Sequence, residues 1–389
     1  MKYDVGRDVH SKESVFVRME AKGKRRAQGA LTTTEEGVRE WQARYQVRRE
    51  TAVAVESGTL AFFVARHLRT LGLGPVVVDA HEVRLKAQRP RQKSDRHEAH
   101  VLCDGLRRGR YRRIMHIPPV AISARRETLS RRRHFVRGQT AAINAATHVL
   151  RTAGVGQLKA NLRTGTGWSK LDAALAGQSS LQQAVSHHYA LWQQAQSQVQ
   201  TLERQLATHQ QPFAADLQRL QTIPGVGSSV ALTVVAGFSE VKRFPSAKHV
   251  ASYAGLVPTT YQSGKRDRHG HSTKQGSGEL RAMLCEAAQH ARRTDYPLNP
   301  YFAALCAKRG YRMAVVAVAH RLCRIMFAML GQQADFDINR VGVEERPFLR
   351  TTARRYRRTA AYPTTGGAGE AAQPTALSVR ESTCPWLNR

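Results

Sequence analysis

The stretch TAVAVESGTLAFFVARHLRTLGLGPVVVDA, residues 51–80, holds the clearest secondary-structure signals in the chain. Its two ends, residues 51–57 and 74–80, are short β-branched runs typical of buried strands. Between them, residues 60–72 place apolar side chains at helical spacing, and Gly72 ends the pattern. A strand, a helix and a second strand joined by short connections predict a βαβ unit with parallel pairing.

The residues before this stretch extend the predicted sheet. MKYDVGRDVHSKESVFVRME, residues 1–20, alternates apolar and polar side chains around a turn predicted at Gly6–Lys12, which is typical of a β-hairpin. Together with residues 51–80, the hairpin predicts one α/β domain over residues 1–123.

Strand signals disappear after residue 123. Residues 124–215 contain two long heptad-like segments, which predict an antiparallel helical hairpin or coiled coil, a common dimerising spacer. Residues 216–335 predict a mostly helical third domain, and the Gly-, Thr-, Pro- and Arg-rich residues 345–389 are expected to be a disordered basic tail. The predicted fold class is therefore α/β plus α.

The charge balance points to a polyanionic partner. Among 389 residues, 61 Lys and Arg oppose 29 Asp and Glu, which gives a net charge of +32 and a pI near 11.0. Such a field attracts polyanions, and the planar fork of the abundant Arg side chains suits phosphate. Nucleic acid is the favoured partner, with a membrane surface as the alternative.

Cysteine usage and hydropathy indicate the compartment. The five cysteines are scattered without a CxxC pair or metal-ligand spacing, which is typical of reduced thiols in the cytoplasm. The longest apolar run, MAVVAVA at residues 313–319, is too short to span a bilayer. We therefore expect a cytoplasmic protein that does not act in a membrane.

Four carboxylates stand out in this basic chain. Asp8 lies at the turn of the predicted first hairpin, Glu56 closes a predicted strand, and Asp95 and Glu98 are spaced i, i+3, so a helix would put both on one face. Hard divalent ions such as Mg²⁺ need oxygen ligands, and two such ions can hold the attacking and leaving oxygens of a phosphodiester. These four acids are therefore candidate Mg²⁺ ligands.

The alternative for Asp95 and Glu98 is a purely structural role. Asp95 and Glu98 follow a basic run, so they could form an exposed salt-bridge network with Arg91, Lys93 and Arg96.

Two further stretches are candidates for contact with phosphate. In IPGVGSSVA, residues 223–231, Gly225 and Gly227 resemble a helix-hairpin-helix turn whose backbone N–H groups grip a phosphate; the alternative is an ordinary helix–helix turn. The stretch PTTYQSGKRDRHGHSTKQGSGELR, residues 258–281, combines serines, glycines and cations. It contains either a nucleophilic serine held against an anionic substrate or a solvated basic loop.

The order of these motifs is more specific than any one of them. GRDVHSK, AVESGT, KSDRHEA, TIPGVG, FPSAKHVASYAGLVPTTYQSG and KQGSGELRAML follow one another along the chain. In this order the sequence resembles the transposases of the insertion-sequence one-ten family, bacterial mobile-element recombinases, over about residues 3–330.

The resemblance implies an RNase-H-like (RuvC-like) DEDD domain that binds Mg²⁺, a coiled-coil spacer and a transposase domain with a nucleophilic serine. It also implies a non-coding bridge RNA that pairs with donor and target DNA. By position, Asp8, Glu56, Asp95 and Glu98 take the four acid positions in that order. Glu98 departs from the family, which has Asp there, and so does Arg7, which we expect to face outward or to contact phosphate.

The family's nucleophile lies in a P-x-x-x-x-S-G segment, here PTTYQSG at residues 258–264, so Ser263 is the implied nucleophile. Ser272 and Ser277 are the competing serines. Because no base precedes Ser263, we expect the metal-binding acids of another domain or subunit to activate it. The cations expected to offset phosphate charge are Lys265, Arg266, Arg268 and Lys274.

The sequence therefore predicts a DNA recombinase that acts as a dimer or tetramer. The alternatives are a RuvC-like metal-dependent nuclease or junction resolvase, whose serine domain only binds DNA, and a non-catalytic nucleic-acid-binding protein. A covalent protein–DNA adduct would distinguish the recombinase from both.

Overall fold

The computed structural model describes residues 3–86, 94–155, 161–208, 210–263, 266–272 and 275–341. The predicted tail, residues 345–389, lies outside the described residues. The chain divides into two compact units with the boundary between Val120 and Ala121, and each unit is described by itself.

The first unit is built on a six-stranded mixed sheet with the strand order β3-β2-β1-β4-β5-β6. Its strands are β1 (Tyr3–Val9), β2 (Glu13–Glu20), β3 (Arg25–Thr32), β4 (Ala52–Glu56), β5 (Gly74–Val78) and β6 (Ile114–Met115). The first three strands pair antiparallel, β4 pairs parallel with both β1 and β5, and β6 pairs antiparallel with β5.

Helices cover both faces of this sheet. They are α1 (Glu35–Arg44), α2 (Ala61–Thr70), α3 (Ala80–Lys86) and α4 (Asp95–Arg107). Because side chains alternate along a strand, Val5 and Val53 face α1 and α2, whereas Ala54 on β4 packs with Leu102 of α4 and Val83 of α3. The site residues on β1 and β4 belong to the face that α4 covers.

The predicted βαβ unit is confirmed as β4, α2 and β5. The turn predicted at Gly6–Lys12 is wrong, because β1 continues through Gly6 to Val9 and the turn occupies residues 10–12. Gly6 is needed for close packing and not for a turn. A Cβ at Gly6 would lie 2.2 Å from the carbonyl oxygen of Ala99 and 2.3 Å from the amide nitrogen of Cys103, both in the backbone of α4.

The helical region of the second unit begins with two long helices that run antiparallel. Residues Val120–Thr152 form α5, Gly165–Ala174 form α6 and Ser179–Thr208 form α7. Arg132 of α5 pairs with Glu203 of α7, and Gln139, about two turns further along α5, contacts Gln196 of α7. Because the residue numbers rise along α5 while those of the partners fall along α7, the two helices run antiparallel. A small apolar core around Trp168 and Trp192 lies where α6 packs with the C-terminal part of α5 and the N-terminal part of α7.

The remaining helices of this unit surround a second, larger core. They are α8 (Ala214–Gln221), α9 (Ser228–Phe238), α10 (Ala247–Tyr253), α11 (Gly278–Ala288), α12 (Asn299–Arg309) and α13 (Tyr311–Gln332), joined by short 3-10 helices. The expectation of a helical C-terminal region is confirmed. A two-stranded antiparallel sheet, β7 (Pro258–Ser263) and β8 (Arg266–Ser272), interrupts the helices.

By length and composition alone, α13 could cross a membrane, since it has 22 residues and a mean hydropathy of 1.7 in its most apolar window. The apolar run at residues 313–319 is therefore part of a longer apolar helix than the sequence predicted. Half of that window is buried inside the unit, and Val318, Leu322 and Met326 are 0% exposed in the helical core. A helix at the centre of a core is surrounded by apolar side chains and is therefore apolar on most of its surface, as is a helix surrounded by lipid.

The close approach of α4 to β1 gives the first prediction. Gly6→Ala should destabilise the protein by about 2 kcal/mol or more, because the added methyl group meets helix backbone that cannot rotate away. The free energy of unfolding, measured by chemical denaturation, checks this. Gly58→Ala is the matched control in the same unit, since a Cβ there meets nothing within 4 Å. Equal stability of the two variants would contradict the packing argument.

Candidate active site

The parallel pairing of β1 and β4 places Asp8 beside Glu56. The register pairs Arg7 with Val55, and the next residue on each strand is the acid. Neighbouring strands lie about 4.8 Å apart, and residues in register point to the same face. Both acids therefore lie at one edge of the sheet, on the face that α4 covers.

Helix α4 brings the other two acids to this edge. Ser94 caps the helix by accepting a hydrogen bond from the backbone N–H of His97, and Asp95 and Glu98 lie in the first turn, as their spacing predicted. The helix is fixed against β1 at Gly6, and the Cys103 thiol donates to the carbonyl oxygen of Asp4 at 3.1 Å.

Three ligand atoms converge where these elements meet. His10 Nε2 lies 3.0 Å from Asp8 Oδ2 and 3.5 Å from Asp95 Oδ1, and one ligand atom from each residue falls within 4.8 Å of the others. We call Asp8, His10 and Asp95 the edge cluster. Sequence reasoning missed His10, although its i, i+2 spacing from Asp8 at a strand end puts both side chains on one side.

The electrostatics of Asp8 suit a cation. Asp8 is 6% exposed, and burial raises the pKa of its carboxyl group. The negative charges of Glu98 and Asp95 raise this pKa further, while His10 lowers it. A buried acid among other acids is relieved by a divalent cation, and carboxylates with one imidazole form a suitable ligand set. The residues present therefore fit a divalent metal ion.

Glu56 and Glu98 lie near this cluster but do not join it. The carboxylate of Glu56 raises the pKa of the neighbouring Tyr111, after the larger effect of burial. Glu98 acts on Asp8 through its charge. The alternative salt-bridge network lacks support from Arg96, which forms no ion pair with either acid within the described ranges. Arg91 and Lys93 lie outside those ranges.

The position of the Arg7 side chain contradicts the prediction made from the sequence. It is 0% exposed and lies on the face opposite Asp8, so it neither faces outward nor is open to phosphate. One nitrogen donates to Ser14 Oγ at 3.2 Å, and that hydroxyl lies 2.7 Å from Thr33 Oγ1. The other two nitrogens have no hydrogen-bond partner among the described residues, and burial lowers the pKa of Arg7 to about 10.

The serine segment is a β-hairpin and not an open loop. Ser263 ends β7 and is in register with Arg266 on β8, while Arg268 is in register with Tyr261. Lys265 and Lys274 lie outside the described residues. These strands are hard to predict from the sequence because the segment has almost no apolar alternation.

The two competing serines occupy different positions. Ser272 ends β8, in register with Pro258. Ser277 is the N-cap of α11, and its hydroxyl accepts from the backbone N–H of Leu280 at 3.2 Å. This capping bond accounts for Ser277 on structural grounds.

The glycine turn joins α8 to α9. Gly225 has φ of +78°, a conformation that favours glycine, and a Cβ there would lie 2.5 Å from Cγ of His290. Gly227 is the N-cap of α9, and no side chain in the described part of the chain caps that helix. The N–H groups at the start of α9 are thus available to an anion.

Two family models match segments that contain these features. Residues 5–154 match the model DEDD_Tnp_IS110, described as "Transposase", and residues 217–303 match "Transposase IS116/IS110/IS902 family". The first segment contains all four acids and the second contains the glycine turn and all three candidate serines. Both models describe transposases, and their matched segments contain every candidate site residue named above.

The chain belongs to the IS116/IS110/IS902 family of transposases. It is 31% identical over 125 residues to the transposase for insertion sequence element IS1111A of Coxiella burnetii, covering 31% of this chain and 34% of that protein. It is 33% identical over 124 residues to the pilin gene-inverting protein of Moraxella bovis, covering 30% and 38%. A longer match, 26% over 305 residues, covers 73% of this chain and 85% of the IS1328 transposase of Yersinia enterocolitica. The first two alignments thus span little more than a third of each relative.

The edge cluster gives a prediction about metal binding. His10→Ser should weaken Mn²⁺ binding at least about tenfold and change Mg²⁺ binding less, because an imidazole ligand favours transition metals over Mg²⁺. Metal titrations followed by calorimetry or by thermal unfolding measure this without any substrate.

The control is His67→Ser, which removes a histidine that lies 3.1 Å from one carboxylate, Glu35, away from the cluster. If His10 instead acts as a cation that fills the site, His10→Ser will strengthen the binding of both ions, which contradicts the prediction.

Proposed function

We propose that this protein is the transposase of a bacterial mobile element and that it cuts and rejoins DNA. The observation that carries the proposal is the convergence of Asp8 and Asp95 at one edge of the sheet, inside the segment that matches the DEDD family model. Glu56, beside Asp8 on the neighbouring strand, and Glu98, one turn after Asp95, complete the proposed acid set.

Each part of the chain has a proposed task. Residues 1–123 form an RNase-H-like domain, which is supported by the antiparallel β1–β2–β3 followed by parallel β4 and β5. Residues 124–215 form the spacer through which subunits join as a dimer or tetramer, and residues 216–335 form the serine transposase domain. Exchange of strands without free ends requires more than one subunit.

The chemistry rests on carboxylates and a serine. Mg²⁺, when bound, neutralises charge that develops on the phosphate and polarises the reacting oxygens. Asp8 and Asp95 would hold the ion, with Glu56 and Glu98 around them. The Ser263 hydroxyl oxygen attacks the phosphorus atom, the bond from phosphorus to one DNA oxygen breaks, and the seryl proton is transferred to that departing oxygen, which leaves as a DNA hydroxyl. The product is a phosphoserine link that keeps the energy needed for rejoining.

The partners follow from the charge and the family. Donor and target DNA are the substrates, in keeping with relatives named as transposases and as a pilin gene-inverting protein. A non-coding bridge RNA selects the sites, and the protein acts in the cytoplasm and not at a membrane. The residues proposed to contact phosphate are Gly225, Gly227, Lys265, Arg266, Arg268 and Lys274.

One observation favours a second candidate, a metal-dependent nuclease or junction resolvase. All the proposed metal ligands lie in the first unit, so hydrolysis could proceed with water as the nucleophile. A free nicked product without any covalent adduct would favour this candidate over the transposase.

The acid set gives a prediction about catalysis. Asp8→Ala or Asp95→Ala should abolish strand cleavage and leave nucleic-acid binding intact, because removing an acid does not weaken a basic surface toward polyanions. Glu98→Asp, which restores the family's usual residue, should keep or raise activity. Cleavage of a labelled DNA that carries the ends of the mobile element measures the activity of all three variants.

Glu127→Gln is the control for the loss of one negative charge, since Glu127 is an exposed acid on α5. Full cleavage in the presence of EDTA would rule out the metal-binding role of these acids.

Ser263 gives a prediction about the covalent link. Ser263→Ala should bind DNA and RNA normally but form no adduct and no recombinant product. The measurement is peptide mapping of protein trapped on a nicked DNA substrate, which should find phosphate on Ser263. Ser272→Ala is the control and should keep the adduct. Phosphate on Ser272, Ser277 or Tyr261 would sink the assignment of Ser263 while sparing the transposase class.

A further inference from the structure

A basic recess lies in the first unit, apart from the metal-binding acids. It has a volume of about 670 Å³ and opens to solvent. Its lining residues, which we call the basic recess, are Lys86, Arg108, Gly109, Arg110 and Arg112. Four of these five residues carry a positive charge. Neither the acid motifs nor the serine segment accounts for this concentration of cations.

A buried carboxylate braces the loop that carries these arginines. Glu82 is 6% exposed, and its carboxylate accepts hydrogen bonds from the backbone N–H groups of Arg112 at 3.1 Å and Arg113 at 2.7 Å, and from Lys86 Nζ. Lys86 also donates to the carbonyl oxygen of Arg110. The loop between α4 and β6 is therefore held in one conformation by contacts to its backbone, which leaves the arginine side chains directed outward.

Positive charge is left over after internal pairing. Asp104 pairs with Arg107 and Arg108 and lies 3.9 Å from Arg110. The exposed side chain of Arg112 forms no hydrogen bond or ion pair with the described residues. A preorganised set of cations with a deficit of acids is complementary to a chain of phosphates.

The sheet sets the distance from the recess to the acids. Glu56 is in register with Val78, and Val78 with Ile114, the residue that follows the arginine loop. Two strand spacings of about 4.8 Å put Ile114 roughly 10 Å from Glu56 along the same edge of the sheet. Arg112, two residues before Ile114, therefore lies near the end of the edge that begins with the acids on β1 and β4, whereas Arg108 and Arg110 lie at the C-terminal end of α4, the end opposite Asp95.

We propose that the basic recess binds the phosphodiester backbone of the DNA strand that is cut, a short distance from its cleavage site. The proposal rests on the proposed function, because it takes the acids as the point of cleavage. A strand whose scissile phosphate lies at Asp8 and Glu56 must continue across a neighbouring surface. The recess begins at Arg112, near the end of that edge, and continues to Arg108 at the C-terminal end of α4, roughly 20 Å from Asp95 at 1.5 Å per helical residue, so a strand that leaves the acids can cross it.

The test compares two triple variants with the same change in charge. R108Q/R110Q/R112Q removes the recess cations, and R39Q/R44Q/R48Q removes three exposed cations on or just after α1, on the opposite face. Binding of a single-stranded DNA oligonucleotide, and of an RNA of the same sequence, is titrated against salt in EDTA by fluorescence anisotropy. Each lost phosphate contact on a single strand lowers the slope of log K against log[salt] by about 0.7.

The recess variant should lose about 2 from the slope with DNA, for three contacts, and the control variant less than about 0.7. Arg112→Gln alone should lose about 0.7 with an unchanged unfolding midpoint, which separates a lost contact from a lost fold. Equal losses in the two triple variants would overturn the proposal. So would a loss that appears only with RNA, which would assign the recess to an RNA partner.

The proposed function and the DNA-binding role of the basic recess can fail separately. If the recess variant loses its DNA contacts while Asp8→Ala still cleaves DNA, then the recess binds DNA and the proposed chemistry is wrong. If Asp8→Ala abolishes cleavage and the recess variant behaves like its control, then the proposed function stands and the recess proposal is wrong.

Discussion

The first unit depends on one contact between backbones, where α4 lies directly on β1 at Gly6. The space for a Cβ at Gly6 is filled by the Ala99 carbonyl oxygen and the Cys103 amide nitrogen. This approach holds the first turn of α4 beside the end of β1, so that Asp95 comes within reach of His10 and of the charge of Asp8. A wider separation of helix and strand would move Asp95 away from Asp8 without changing either residue. The geometry of the candidate site is therefore a consequence of packing well outside it.

The same packing explains which parts of the fold can be predicted from the sequence. The unit β4–α2–β5 is contiguous in the chain and each element has its own periodicity, so local patterns are sufficient. Strand β3 carries the residues RRAQGALT, of which Leu31 alone is buried, and therefore has no apolar pattern to detect. The hairpin β7–β8 has the composition of a loop for a similar reason, since its pairing is carried by the backbone.

The site was predictable to a similar extent. Carboxylates at strand ends and at i, i+3 in a helix can be recognised from spacing, because the spacing fixes which side chains share a face. The position of Arg7 could not be predicted, since a charged residue between Gly6 and Asp8 gives no sign that it is buried on the other face beside Ser14 and Thr33. His10 had a usable signal in its spacing from Asp8.

Two buried acids of the first unit show how a carboxylate that stabilises the fold differs from one that is still able to bind a cation. Asp8 and Glu82 are each 6% exposed, and burial by itself raises the pKa of both. For Glu82 this effect is outweighed by Lys86 and by the backbone N–H groups of Arg113 and Arg112, so its pKa falls to about 2. The charge of Glu82 is thus fully used in holding the arginine loop.

Asp8 lacks such donors, and its pKa stays raised because its nearest charged neighbours other than His10 are Glu98 and Asp95. Equal burial with opposite shifts means that the difference lies in the surroundings, and that the folded protein compensates the charge of Asp8 only in part, through His10. Folding alone gives no reason to gather three acids around a buried position. A cation supplied from outside does, which distinguishes the acids at the edge of the sheet at β1 from Glu82, whose charge is already balanced inside the protein.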